Sequence, residues 1–137
     1  MTDDIGRLVR LTDTDRTVTD PEADVRGRRV VDPFDQDLGR VDDLLVDDRE
    51  GRVRFLRVSE GGVLGIGARH YLVPVDAVVA LEADRVRIGR NRDEMASVPP
   101  YDPDLGDDPG YYAGLYGWWG HPPFWGPGYT YPGYPYY

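Results

Sequence analysis

The chain has 137 residues, enough for one domain of ordinary size, and 25 Asp and Glu against 16 basic residues leave a formal net charge of −9. That balance works against a nucleic-acid partner and an anionic membrane surface, both of which draw on a local excess of positive charge. Absent cysteine, disulfides, thiolate metal sites and cysteine nucleophiles are excluded, and no run of about 18 apolar residues occurs to span a membrane.

Every basic side chain except the two histidines is arginine, which points to a GC-rich coding sequence or adaptation to salt. The acidic start, Met1-Thr2-Asp3-Asp4, has no apolar stretch of signal-peptide type behind it, so the expected location is the cytoplasm. Residues 1–24 read as a partly ordered arm. Their apolar stretch, Ile5 to Leu11, is an edge strand or a frayed end, and a polar run from Thr12 to Asp24 follows.

From Val25 the pattern changes to β-branched clusters separated by turn residues at short spacing, the signature of an antiparallel barrel or sandwich over residues 25–92. Strands are predicted near Arg28–Asp32, Leu38–Asp47, Arg52–Glu60, Arg69–Val75 and Arg85–Ile88, with turns at Pro33–Asp37 and Asp48–Gly51. The second and third strands form a hairpin. On it Asp42, Asp43, Asp47 and Asp48 lie opposite Arg52, Arg54 and Arg57 as wet-face ion pairs, while Val41, Leu44, Val46, Val53 and Phe55 supply core. The adjacent apolar pairs Leu44-Leu45 and Phe55-Leu56 break the alternation, through a bulge or through burial of both faces. The stretch Val75–Leu81 either continues a strand or holds one helical turn capped by Asp76.

Past Arg92 the composition shifts. Val98 to Tyr137 holds nine of the twelve prolines, nine of the ten tyrosines and all three tryptophans. Glycine and proline oppose both helix and sheet, so residues 93–137 are expected to be a disordered tail. Its aromatics, Tyr112, Tyr116, Trp118, Trp119, Phe124 and Trp125 among them, are adhesive. Three roles stay open for them: docking on a partner, self-association, or folding back onto the arginine-bearing face of the barrel.

The core runs Arg26-Gly27-Arg28-Arg29-Val30-Val31-Asp32, then Leu38-Gly39-Arg40-Val41-Asp42-Asp43-Leu44-Leu45-Val46-Asp47, then Gly51-Arg52-Val53-Arg54-Phe55-Leu56-Arg57-Val58. With the glycine-rich Gly61-Gly62-Val63-Leu64-Gly65-Ile66-Gly67 and with Tyr71-Leu72-Val73-Pro74-Val75-Asp76-Ala77-Val78, it resembles the PRC-barrel family over about half the chain. The resemblance implies a small β-barrel that mainly binds other proteins. Such barrels occur in the photosynthetic reaction-centre H subunit, in a ribosome maturation factor and as stand-alone prokaryotic proteins. It implies no catalytic set. Independently of any family, Gly39 and Gly51 suit tight turns or positive φ, and Gly61, Gly62, Gly65 and Gly67 let a wide loop bend.

The enzyme-like features are weak. Gly65-x-Gly67-x-x-His70 lacks the third glycine of a phosphate-cradling loop, and a chain without lysine has no Walker lysine. His70 as a base oriented by Asp76 competes with the commoner packed or surface histidine, and His121 sits in the tail, where solvent exposure is expected. Asp102, Asp104, Asp107 and Asp108 do not have the spacing of a calcium loop. The expected function is therefore a non-enzymatic adaptor without cofactor or metal, using Arg52, Arg54, Arg57 and the tail aromatics to bind an unidentified protein or itself. Two alternatives remain. One is a quinone-like ligand or a reaction at the Gly61–His70 loop, and the other is a stress-related self-assembling protein.

Overall fold

All five strands predicted from the sequence form. The computed structural model describes residues 8–11, 24–61, 68–105, 108–127 and 129. Its strands are β1 (Leu8–Arg10), β2 (Arg29–Val31), β3 (Asp37–Asp47), β4 (Val53–Glu60), β5 (Arg69–Pro74), β6 (Val78–Leu81) and β7 (Arg85–Ile88), and two helices follow, α1 (Arg92–Met95) and α2 (Pro109–Trp119). The sheet order is β5-β4-β3-β2-β7-β6, curled into a half-barrel. At 11 residues β3 is long enough to be shared: opposite β4, its first half pairs with β2 and its second half with β1. The pairings are antiparallel except that of β2 with β7, which is parallel.

Burial of both faces, rather than a bulge, explains the adjacent apolar pairs, because Leu44 and Leu45 stand opposite Leu56 and Phe55 in unbroken register. The β3–β4 register shifts between Val41 and Asp43 and again between Leu45 and Val46, so one charged residue is inserted at each irregularity, Asp42 on β3 and Arg54 on β4. The sheet is buried on two faces. Leu44 and Leu56 join the inner core with Val41, Val46 and Val53, whereas Leu45 and Phe55 face a second, outer cluster with Leu72 and α2. The stretch after Pro74 resolves as a single 3-10 turn, Val75–Ala77, followed by β6; Pro74 occupies the cap position with no side-chain bond, so Asp76 is not the cap.

Side chains close the turns. Buried Asp32 accepts backbone N–H bonds from Phe34 (2.8 Å), Gln36 (2.8 Å) and Arg92 (2.9 Å), which ties the turn after β2 to the start of α1. Burial pushes its carboxyl up, but the three N–H donors outweigh that and hold it below the usual 3.8. A carboxyl depressed on folding contributes stability that is complete above its unfolded value and is lost as pH falls towards the folded value. Asp32→Asn is accordingly expected to cost about 1–2 kcal/mol at neutral pH, with the gap to wild type closing below about pH 4. Urea denaturation at several pH values measures this, and a gap that does not depend on pH would contradict it.

The C-terminal segment departs from expectation. Beyond Arg92, Met95 and Val98 belong to the inner core. The segment 109–119, expected to lack structure, is helical and packed on the sheet. Its start and stop signals are legible: Asp108 accepts from Gly110 N–H at 2.9 Å, Pro109 occupies the first turn, and Gly120 ends the helix at φ 79°. Residues 130–137, also expected to be disordered, lie outside the described residues.

Candidate functional site

The outer face of β3, β4 and β5 carries the residues that the sequence nominated. The register shift that inserts Arg54 brings it and Phe55 into one aromatic layer. The Phe55 ring lies 5.0 Å from Tyr116 and 5.5 Å from Tyr112, and the Arg54 guanidinium lies 4.1 Å from the centre of Phe124, a cation–π contact. Arg54 also bonds Asp47 through Nε at 2.8 Å, with both side chains 1% exposed, and reaches Glu50 at 2.8 Å. Asp47, Asp43 and Arg54 are thus buried, which corrects the wet-face reading. The C-terminal segment covers the face that the alternation assigned to solvent. The Asp42–Arg57 pair, 3.1 Å apart, is a partly exposed cross-strand ion pair.

The helix buries Tyr112, Leu115, Tyr116 and Trp119, the i, i+3, i+4, i+7 spacing of a seated helix; the first three join the outer cluster and Trp119 reaches the inner core. Trp119 Nε1 donates to the Leu72 carbonyl at 3.2 Å, which satisfies the one polar atom of a buried indole. His121 N–H donates to the Tyr116 carbonyl at 3.0 Å, and the chain turns so that Phe124 and Trp125 pack on Tyr116 at 6.4 and 6.0 Å. Arg90 stacks 4.4 Å from Trp118 and donates to its carbonyl. The described part of the tail folds back onto the arginine-bearing face.

The nominated residues therefore divide. Tyr112, Tyr116, Trp119, Phe124 and Arg54 are buried, while Arg52, Arg57, Trp118 and Trp125 are half-buried. Gly39, Gly51 and Gly61 all have positive φ (123°, 71° and 75°); Gly62, Gly65 and Gly67 lie outside the described residues. His121 is half-buried rather than exposed. Asp108 caps α2, and Asp102 accepts from the Asp104 N–H at 3.0 Å.

The proposed His70–Asp76 dyad does not form. The carboxylate beside His70 Nδ1 is that of Asp42, at 3.4 Å, on the same face as Arg57. Burial lifts the Asp42 carboxyl above its ordinary value, against the pull of Arg57 and His70. Asp76 instead lines a cavity of about 270 Å³ with Val79, Arg90, Trp119 and His121. Burial, and after it the Asp76 carboxylate, pushes the Tyr116 and Tyr129 phenols well above their ordinary value, so both hydroxyls stay protonated. Sequence reasoning missed Arg90, which carries no local signal beyond being one arginine among many.

Among the described residues no helix is long and apolar enough to cross a membrane. No curated protein matches the chain. Residues 22–95, more than half the chain, match the PRC-barrel domain, and with the half-barrel just described this places the chain in the PRC-barrel family.

Proposed function

We propose that this protein is a non-enzymatic interaction module, a cytoplasmic adaptor whose aromatic C-terminal segment governs docking. PRC-barrel domains are small and often take part in protein interactions. The observation that carries the reading is the seating of an uncharged, aromatic protein segment on the outer face of the barrel, with Tyr112, Leu115 and Tyr116 as helical anchors and the Trp119 indole N–H bonded to a strand carbonyl. A surface that accepts a peptide in this way has the chemistry of protein recognition, where buried aromatics and arginine dominate affinity.

The test is in-cell photo-crosslinking of the full chain. A photoreactive residue at Trp125, beside the occupied face, is expected to give discrete adducts with another protein, whereas one at the exposed Phe34 gives only background. Adducts with the chain itself alone would favour self-assembly. Absence of any adduct, together with saturable binding of a quinone, would favour the small-molecule alternative.

A further inference from the structure

Three observations bear on how the outer face is used. First, the floor of the groove, Leu45 and Phe55 with Leu72, lies inside the matched family domain, whereas α2 lies beyond residue 95. The groove is part of the domain and its occupant is an appendage. Second, α2 is a poor helix by itself. Gly110, Gly114 and Gly117 each weaken it by about 1 kcal/mol relative to Ala, its 11 residues are too few for stable isolated helix, and among its own side chains there is no charged pair to support it. Docking holds the helix together, so undocking and melting are one event. Third, the fit specifies a chemistry: apolar or aromatic anchors at i, i+3 and i+4 on the outer floor, an indole at i+7 that reaches the inner core and donates its N–H to the Leu72 carbonyl, and a ring for the Arg54 guanidinium.

We propose that this groove is the partner-binding site of the domain, that its partner presents an uncharged aromatic helix of the same spacing, and that α2 is a resident ligand which the partner's helix displaces. The inference rests on the interaction-module reading and names its surface. The apparent affinity for a partner helix then scales with the fraction of molecules whose α2 is undocked.

Two variants move that fraction in opposite directions without touching the groove. A Cβ added at Gly114 or Gly117 meets nothing within 4 Å, so Gly114→Ala with Gly117→Ala strengthens α2 in place. Tyr116→Ser removes a buried anchor of the resident helix and leaves the floor intact. The probe is a fluorescein-labelled synthetic peptide of residues 108–126, titrated by polarisation against the full chain. The double alanine variant is expected to bind it about 15- to 30-fold more weakly than wild type, and Tyr116→Ser to bind it at least about tenfold more tightly. Unchanged amide protection in β3 and β4 confirms that both variants keep the barrel.

Equal peptide affinity in all three proteins, or no binding even by Tyr116→Ser, overturns the proposal. Wild-type chains that dimerise through exchanged helices would make the occupant a second copy and overturn the assignment to a partner. If the peptide fails to bind while the Trp125 crosslink still captures a protein, the groove inference falls and the interaction-module reading stands.

Discussion

Replacing Asp47 by alanine is expected to destabilise the protein by about 3–5 kcal/mol, because it strands a buried guanidinium. Asp47 and Arg54 are each 1% exposed and 2.8 Å apart, and Phe124 covers the pair. Asp47 also organises the β3–β4 turn by accepting N–H bonds from Arg49 (3.2 Å) and Arg52 (3.3 Å), so alanine leaves the Arg54 charge and backbone donors without this acceptor. Glu50, the other carboxylate near Arg54, is 57% exposed and too well solvated to replace it. Truncating both partners removes the stranded charge. The double variant Asp47→Ala with Arg54→Met is therefore expected to lose less than Asp47→Ala alone, with a coupling of about 1–3 kcal/mol. Urea midpoints for the four proteins of the cycle measure this. A loss below about 1 kcal/mol for Asp47→Ala would show the pair to be more hydrated than its burial implies.

That pair also shows where reading from sequence stops. The strands were legible because β-branched clusters and turn residues alternate along the chain, and the hairpin placed Asp47 and Arg54 together. Which face they occupy was not legible. Alternation assigns charged residues to water unless something else covers that face, and what covers it here lies more than 50 residues further on, in a segment whose composition opposes helix. The local signals of α2 were present in Asp108-Pro109 and Gly120, but three glycines between them outweigh those signals until Phe55 and Leu72 supply burial. Each buried aromatic or leucine anchor contributes about 1.5–3 kcal/mol, enough over four anchors to offset the helix's intrinsic weakness. His70 illustrates the converse error. Its nearness in sequence to Asp76 suggested a dyad, yet the 3-10 turn after Pro74 carries Asp76 towards Tyr116 and Tyr129, while the irregularity at Asp42 delivers a different carboxylate to His70.

The glycine at position 39 is the place where one added methyl group is expected to do the most harm. Its φ of 123° belongs to a region that L side chains rarely enter, and a Cβ there would stand 2.5 Å from the Ser59 carbonyl oxygen and 3.1 Å from a Val58 methyl. Ser59 and Val58 lie on β4, in register with Arg40 and Val41, so the clash falls on the backbone of the central strand pair and cannot be relieved by turning a side chain. Gly27 separates the two components of the cost. Its φ is also positive, at 89°, but a Cβ there meets nothing within 4 Å. Gly27→Ala is accordingly expected to lose about 1–2 kcal/mol from conformation alone, and Gly39→Ala about 2–5 kcal/mol from conformation and overlap together. Chemical denaturation of the two variants decides the matter. Equal losses would mean that β3 and β4 can separate by a few tenths of an ångström at little cost, whereas a larger loss at Gly39 identifies the close approach of these strands as what requires glycine there.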